Sequence, residues 1–222
     1  MRVLDSVMRS ERNKNLYLLL AILFHNFIYP FSVGQGPRPV FFYFVFGSMF
    51  VFGVLLLSKR RTERVLTAVL GLMVFVFGLL NAYDLNTWAL PLLYVSAIGY
   101  HVMIIIVLVR YIFLAKRVLA EVILAATSLY LVFGSIYTAI YGFIEWAAPG
   151  SFAVSSGAEL GWQQFLYYSY VTLTTLGYGD ITPVGFYAQS AAMFQATLGV
   201  LYTVILLSRL VSLYEPPEGQ RT

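Results

Sequence analysis

Cysteine is absent from the 222 residues, which excludes a disulfide framework and any thiolate metal or redox site. Charge is scarce: Asp, Glu, Lys and Arg make up 11% of the chain, where a soluble domain averages about 25%. There are two histidines, His25 and His101. No Ser/His/Asp, metal-ligand or phosphate-loop arrangement accompanies them, so an enzyme is not supported and no metal or organic cofactor is expected. What the chain has in abundance is apolar surface, with 60% hydrophobic and 17% aromatic residues. That composition reads as an integral membrane protein, its aromatics suited to interfacial belts. The net charge of +4 hints at a polyanion partner until the positions are read. The cations cluster in short loops between apolar runs, as membrane topology requires, and no nucleic-acid partner is expected.

Six apolar runs follow in order. Arg2, Arg9, Arg12 and Lys14 precede the first, Leu16 to Phe31. A basic head before an apolar run also describes a secretory signal peptide, with Ser32-Val33-Gly34 as a passable cleavage site; the run is read here as a short first span. Val40 to Leu57 is the second span, closed by Lys59, Arg60, Arg61 and Arg64. The third runs from about Val65 to Tyr83, the fourth from about Leu90 to Leu114, the fifth from Val122 to Trp146 and the sixth from Phe186 to about Leu213. Each approaches or exceeds the ~20 apolar residues a bilayer needs. Ala147 to Gly161, rich in Gly, Ser and Ala, reads as an exposed loop, and Trp162 to Thr174 as a short helix. With the N-terminus in the cytoplasm, 13 of the 14 Lys and Arg residues fall inside and Arg38 alone falls outside. The positive-inside rule therefore selects a multi-pass protein with both termini cytoplasmic, in the plasma or inner membrane.

Between the short helix and the sixth span lies Thr172-Leu173-Thr174-Thr175-Leu176-Gly177-Tyr178-Gly179-Asp180. A dehydrated cation needs a cage of closely spaced oxygens, and carbonyls supply it when successive residues turn one edge toward a common axis. Consecutive L-residues in one conformation alternate instead. Gly177 and Gly179 can take the positive φ that restores alignment. Thr175 can add a hydroxyl oxygen at the inner end of the row, Tyr178 points away and wedges the loop, and Asp180 adds negative charge at the mouth. A Gly-rich turn between two helices is the plainer alternative. The full run resembles the selectivity filter of the potassium-channel superfamily, where Thr175, Leu176, Gly177, Tyr178 and Gly179 would bind K+ ions through backbone carbonyls.

The resemblance covers Glu121 to Tyr214. It implies a two-helix pore module with a re-entrant pore helix and filter loop (118–214); the apolar runs set four N-terminal transmembrane helices (residues 1–117) before it and a short cytoplasmic tail (215–222) after it, so the expected fold is an all-α membrane protein. Tyr167, Tyr168, Tyr170 and Val171 are similar to the family's aromatic pore helix, which would stop at Thr174 and aim its C-terminal carbonyls, a partial negative charge, at the axis. The tyrosines would form a packing cuff. Two positions depart from the common pattern: Leu176 replaces Val or Ile, and Val171 stands where some channels place a carboxylate partner for the filter Asp. Tyr167 is the hydroxyl donor available to Asp180 instead. Gly199 lies where the family places its inner-helix hinge, the alternative being a small residue for close packing. Helical spacing sets Thr203, Leu207 and Val211 on the same face, lining the cavity, with Leu207 and Val211 as a hydrophobic gate. One chain supplies one filter loop and a ring needs four, so a homotetramer in contact with membrane lipids is implied.

Span four holds no Lys or Arg between Leu90 and Val109, so no arginine ladder for voltage sensing is present. His25 and His101 lie within spans, either as pH-sensitive groups or as neutral imidazoles hydrogen-bonded between helices. The reading is a tetrameric potassium-selective channel. The alternatives are a non-selective cation channel of the same fold, which would lack the Gly-Tyr-Gly row, a potassium-transporter subunit, and a non-conducting membrane sensor or scaffold.

Overall fold

The computed structural model describes residues 2–32, 40, 44, 60–83, 85–115, 120–155, 157 and 159–212. Among the described residues six α-helices carry the fold: α1 (Arg2–Ile28), α2 (Arg61–Ala82), α3 (Ala89–Leu114), α4 (Ala120–Ala147), α5 (Trp162–Leu173) and α6 (Phe186–Ser212). Four of them, α2, α3, α4 and α6, are long and apolar enough to cross a membrane. The architecture is that of an all-α membrane protein, and these four match the expected third to sixth spans to within a few residues at each end.

The first span differs from the expectation. Its helix begins at Arg2 rather than at Leu16, so the basic head and the apolar run form one rod, which passes into a 3-10 turn at Tyr29–Ser32. In α1 the apolar half is short, and it is not among the described helices that are long and apolar enough to cross. It lies along α4, with Leu18 and Ile22 buried against the α3 and α4 residues of one core. The second expected span, 40–57, lies outside the described residues.

Helices α2, α3 and α4 pack in sequence, α2 on α3 and α3 on α4. Their shared core includes Val74, Tyr94, Ile104, Leu108, Ala126 and Leu129. At one end of this layer Arg110 Nη1 donates to Glu63 Oε1 at 2.7 Å, and Arg60 approaches the same carboxylate at 4.0 Å. The Glu63 side chain is 16% exposed. Arg110 therefore ties α3 to the first turn of α2, a link that the sequence reading did not foresee.

The segment 147–161, expected as a loop, carries β1 (Phe152–Val154), which pairs antiparallel with β2 (Ile181–Pro183). Phe152 faces Pro183, and Val154 faces Ile181. The Glu145 carboxylate accepts from the Gly150 and Phe152 amides at 2.8 and 3.2 Å, and Ser155 N–H donates to Asp180 O at 2.9 Å. Phe152 is buried with Tyr141, Phe165, Tyr168 and Ile181 in a second aromatic core. The chain leaving α4 is thus pinned to the chain leaving the Gly-Tyr-Gly row.

Candidate ion-conduction site

Helix α5 has 12 residues, a length of about 18 Å at 1.5 Å per residue, well short of the ~30 Å apolar thickness of a bilayer. It enters between α4 and α6 and stops. Its seat on α4 is cut by Gly134: a Cβ there would lie 2.5 Å from the Tyr170 ring. Tyr170 uses that opening to donate its hydroxyl to Leu131 O at 2.8 Å, and it accepts from Asn26 Nδ2 of α1 at 2.7 Å. Tyr168 is buried on the opposite side, its ring centroid 4.9 Å from that of Tyr141 and 5.5 Å from that of Phe152. Two of the expected cuff tyrosines thus anchor the helix within its own chain.

Beyond α5 the backbone reverses handedness residue by residue. Thr175, Gly177 and Gly179 have φ of 59°, 61° and 77°, while Leu176 and Tyr178 between them keep negative φ. Alternation between mirror-related conformations turns successive peptide planes the same way, which is the arrangement a row of parallel carbonyls requires. The two glycines are the residues expected to do this. Thr175 was expected to contribute a hydroxyl and a carbonyl but not a positive φ, yet it takes the same left-handed conformation despite its branched Cβ, at a cost of roughly 1–2 kcal/mol. Three amides hold it there. Thr175 N–H donates to Thr172 O at 3.0 Å, and Leu176 and Gly177 N–H both reach Val171 O, at 2.9 and 3.4 Å. Val171, which lacks a carboxylate to support the loop, supports it through its carbonyl.

At the outer end of the row, Tyr178 stacks on Tyr167 with ring planes 3° apart and centroids at 6.4 Å. The Tyr167 hydroxyl lies on the side of the Asp180 carboxylate, and Asp180 Oδ1 accepts from the Ile181 amide at 3.1 Å. Thr174 caps α5, its hydroxyl donating to Tyr170 O at 2.7 Å. Leu176 and Tyr178 remain 55% and 66% exposed in one chain. A groove of about 320 Å³ runs beside them, lined by Tyr29, Tyr170, Val171 and Thr174 among others.

Helix α6 continues unbroken through Gly199. A Cβ at Gly199 would collide with the carbonyl oxygen of Leu173 and lie 3.1 Å from its Cδ1. The geometry favours close packing of α6 against the end of α5 over a hinge. Gly199 is buried whereas Thr203, one turn on, is exposed and turns its hydroxyl back to Gly199 O at 3.0 Å. Leu207 and Val211 belong to α6, but their side chains lie outside the described set.

Both histidines line one cavity of about 70 Å³, bordered by Tyr94, Ser135, Thr138 and Trp162. His101 Nδ1 hydrogen-bonds to Ala97 O at 2.7 Å. That bond is within α3 rather than between helices. His25 stacks on Trp162 with centroids at 6.5 Å. Neither histidine belongs to the Thr175–Gly179 row.

Residues 118–215 match the protein-family model described as "Ion channel". The chain is also similar to the two pore potassium channel c of Oryza sativa subsp. japonica, with 41% identity over 66 residues. That stretch is 30% of this chain and 14% of the relative, so the chain spans only a small part of the relative's length. The matched family segment contains α4, α5, the Thr175–Gly179 row and α6, and over that segment the chain is similar to the ion-channel family.

Proposed function

We propose that the chain conducts K+ passively across the cell membrane as one of four identical copies, with the carbonyls of Thr175 to Gly179 forming the filter around a common axis. The observation that carries this reading is the alternation of φ sign from Thr175 to Gly179. A single row supplies one side of each ion cage, so four rows complete it. The K+ ions are the transported species. The partners are three further copies and the surrounding lipid, and the charge distribution supports a cytoplasmic position for both termini. Purified protein in liposomes is expected to pass K+ and to exclude Na+, and a bi-ionic reversal potential near zero would refute the selectivity.

Membrane voltage is not expected to drive the channel through α3. A charge crossing the field yields about 2.3 kcal/mol per 100 mV, and α3 has no Lys or Arg before Arg110. Arg110 is itself paired with Glu63. Arg110→Gln is expected to leave the steepness of the conductance–voltage curve unchanged while loosening α2 from α3. A steep wild-type curve that flattens in this variant would show that residues 60–115 form a voltage sensor.

A further inference from the structure

A buried hydrogen-bonded chain joins the outer, inner and pore helices behind the filter. The Tyr141 hydroxyl donates to Gln195 Oε1 at 2.5 Å, Gln195 Nε2 donates to Ser169 Oγ at 2.7 Å, and the Ser169 hydroxyl donates to Gly134 O at 2.7 Å. A backbone carbonyl can only accept, so the Ser169 hydrogen points to Gly134 and its lone pair to the amide of Gln195. That fixes the amide orientation and leaves Oε1 for Tyr141. Tyr141, Ser169 and Gln195 are each fully buried, at 0% exposure.

Packing alone does not call for this glutamine. Among the described residues of α6, the other buried ones are Ala188, Ala192 and Gly199, a stripe of small residues that lets helices approach. Gln195 is the long side chain in that stripe, and its amide is spent on hydrogen bonds to two other helices. Its partner Ser169 precedes by two residues Val171, whose carbonyl holds the Leu176 and Gly177 amides. One turn further along both helices, Gly199 touches Leu173. The i, i+4 pair 195/199 of α6 therefore faces the i, i+4 pair 169/173 of α5.

We propose that Gln195 is a positioning residue that couples the inner helix to the filter. A shift of α6 passes through the Gln195–Ser169 bond to the turn of α5 that holds Leu176 and Gly177, so the conducting state of the filter follows the position of α6. The proposal rests on the conduction reading above.

The test is single-channel recording of the full-length protein in planar bilayers, for wild type, Gln195→Leu, Ser169→Ala, the double variant and Tyr141→Phe. Gln195→Leu and Ser169→Ala are each expected to lower open probability about tenfold, the equilibrium effect of losing the Gln195–Ser169 bond that both remove. Each is expected to leave the unitary conductance of the remaining openings at the wild-type value. The double variant is expected to be no worse than either single one, because both remove the same link. Open probabilities at the wild-type level, with only thermal stability reduced, would make the chain purely structural and overturn the proposal. Independent, multiplying effects would overturn it too. If Gln195→Leu does not assemble, Ser169→Ala and Tyr141→Phe decide on the same criteria. A wild-type protein that passes no K+ refutes the conduction reading itself, whereas a conducting wild type with unaltered variants refutes the coupling alone.

Discussion

Gly177→Ala and Gly179→Ala are each expected to abolish selective K+ current while leaving membrane insertion and assembly intact. Both glycines have positive φ, and within the chain nothing lies within 4 Å of a Cβ added at either. The penalty therefore comes from the backbone rather than from a clash. It is roughly 1–2 kcal/mol for an L-residue in the left-handed region, a modest loss against the stability of a helical core. In a ring of four copies it recurs at every corner of one ion cage, about 4–8 kcal/mol in all. The cheapest escape is a flip of the peptide plane, which turns a carbonyl out of the row and an N–H toward the cation. Leu176→Ala is the control, since Leu176 has negative φ and an alanine fits that backbone; it should retain far more current than either glycine variant. The measurement is K+ flux into liposomes, with the assembly state checked on the same preparation. Wild-type-like flux from both glycine variants would sever the link between positive φ and conduction.

The parts legible in the sequence are those set by local chemistry. Apolar length gave α2, α3, α4 and α6. The glycine pair announced its own φ values, and Tyr167 was identifiable as a hydroxyl available to Asp180. The rest depended on tertiary placement. A threonine has no propensity for the left-handed conformation that Thr175 adopts, because the hydrogen bonds that impose it come from Thr172 and Val171. The strand Phe152–Val154 is too short for an alternating pattern, and its pairing with Ile181–Pro183 exists only once α5 has folded back between them. Gln195 looked like one polar interruption in an apolar run, since Ser169 and Tyr141 reach it across 26 and 54 residues. Glu63, near the start of an apolar run, gave no sign of its bond to Arg110, 47 residues away.

Spacing alone could not assign Gly199, because a small residue serves a hinge and a tight helix contact equally well. The two roles predict opposite signs for Gly199→Ala. In a hinge, alanine stiffens a solvent- or lipid-accessible helix and adds about 1 kcal/mol of helix stability per copy. In a packing seat, the new methyl meets the Leu173 carbonyl oxygen. That atom cannot rotate away: it belongs to the last residue of α5 and already accepts from the Tyr130 hydroxyl at 3.3 Å. Relief requires α6 to move off α5, which also stretches the Gln195–Ser169 bond one turn away. Overpacking of this kind typically costs about 1–3 kcal/mol, enough to outweigh the helix-propensity gain. Gly199→Ala is therefore expected to lower the thermal midpoint of the detergent-solubilised assembly and to reduce K+ flux together. Gly199→Val, with two more carbons at the same seat, should lower both further. A raised midpoint with Gly199→Ala, accompanied by altered opening, would return Gly199 to the hinge role and leave its contact with Leu173 without energetic weight.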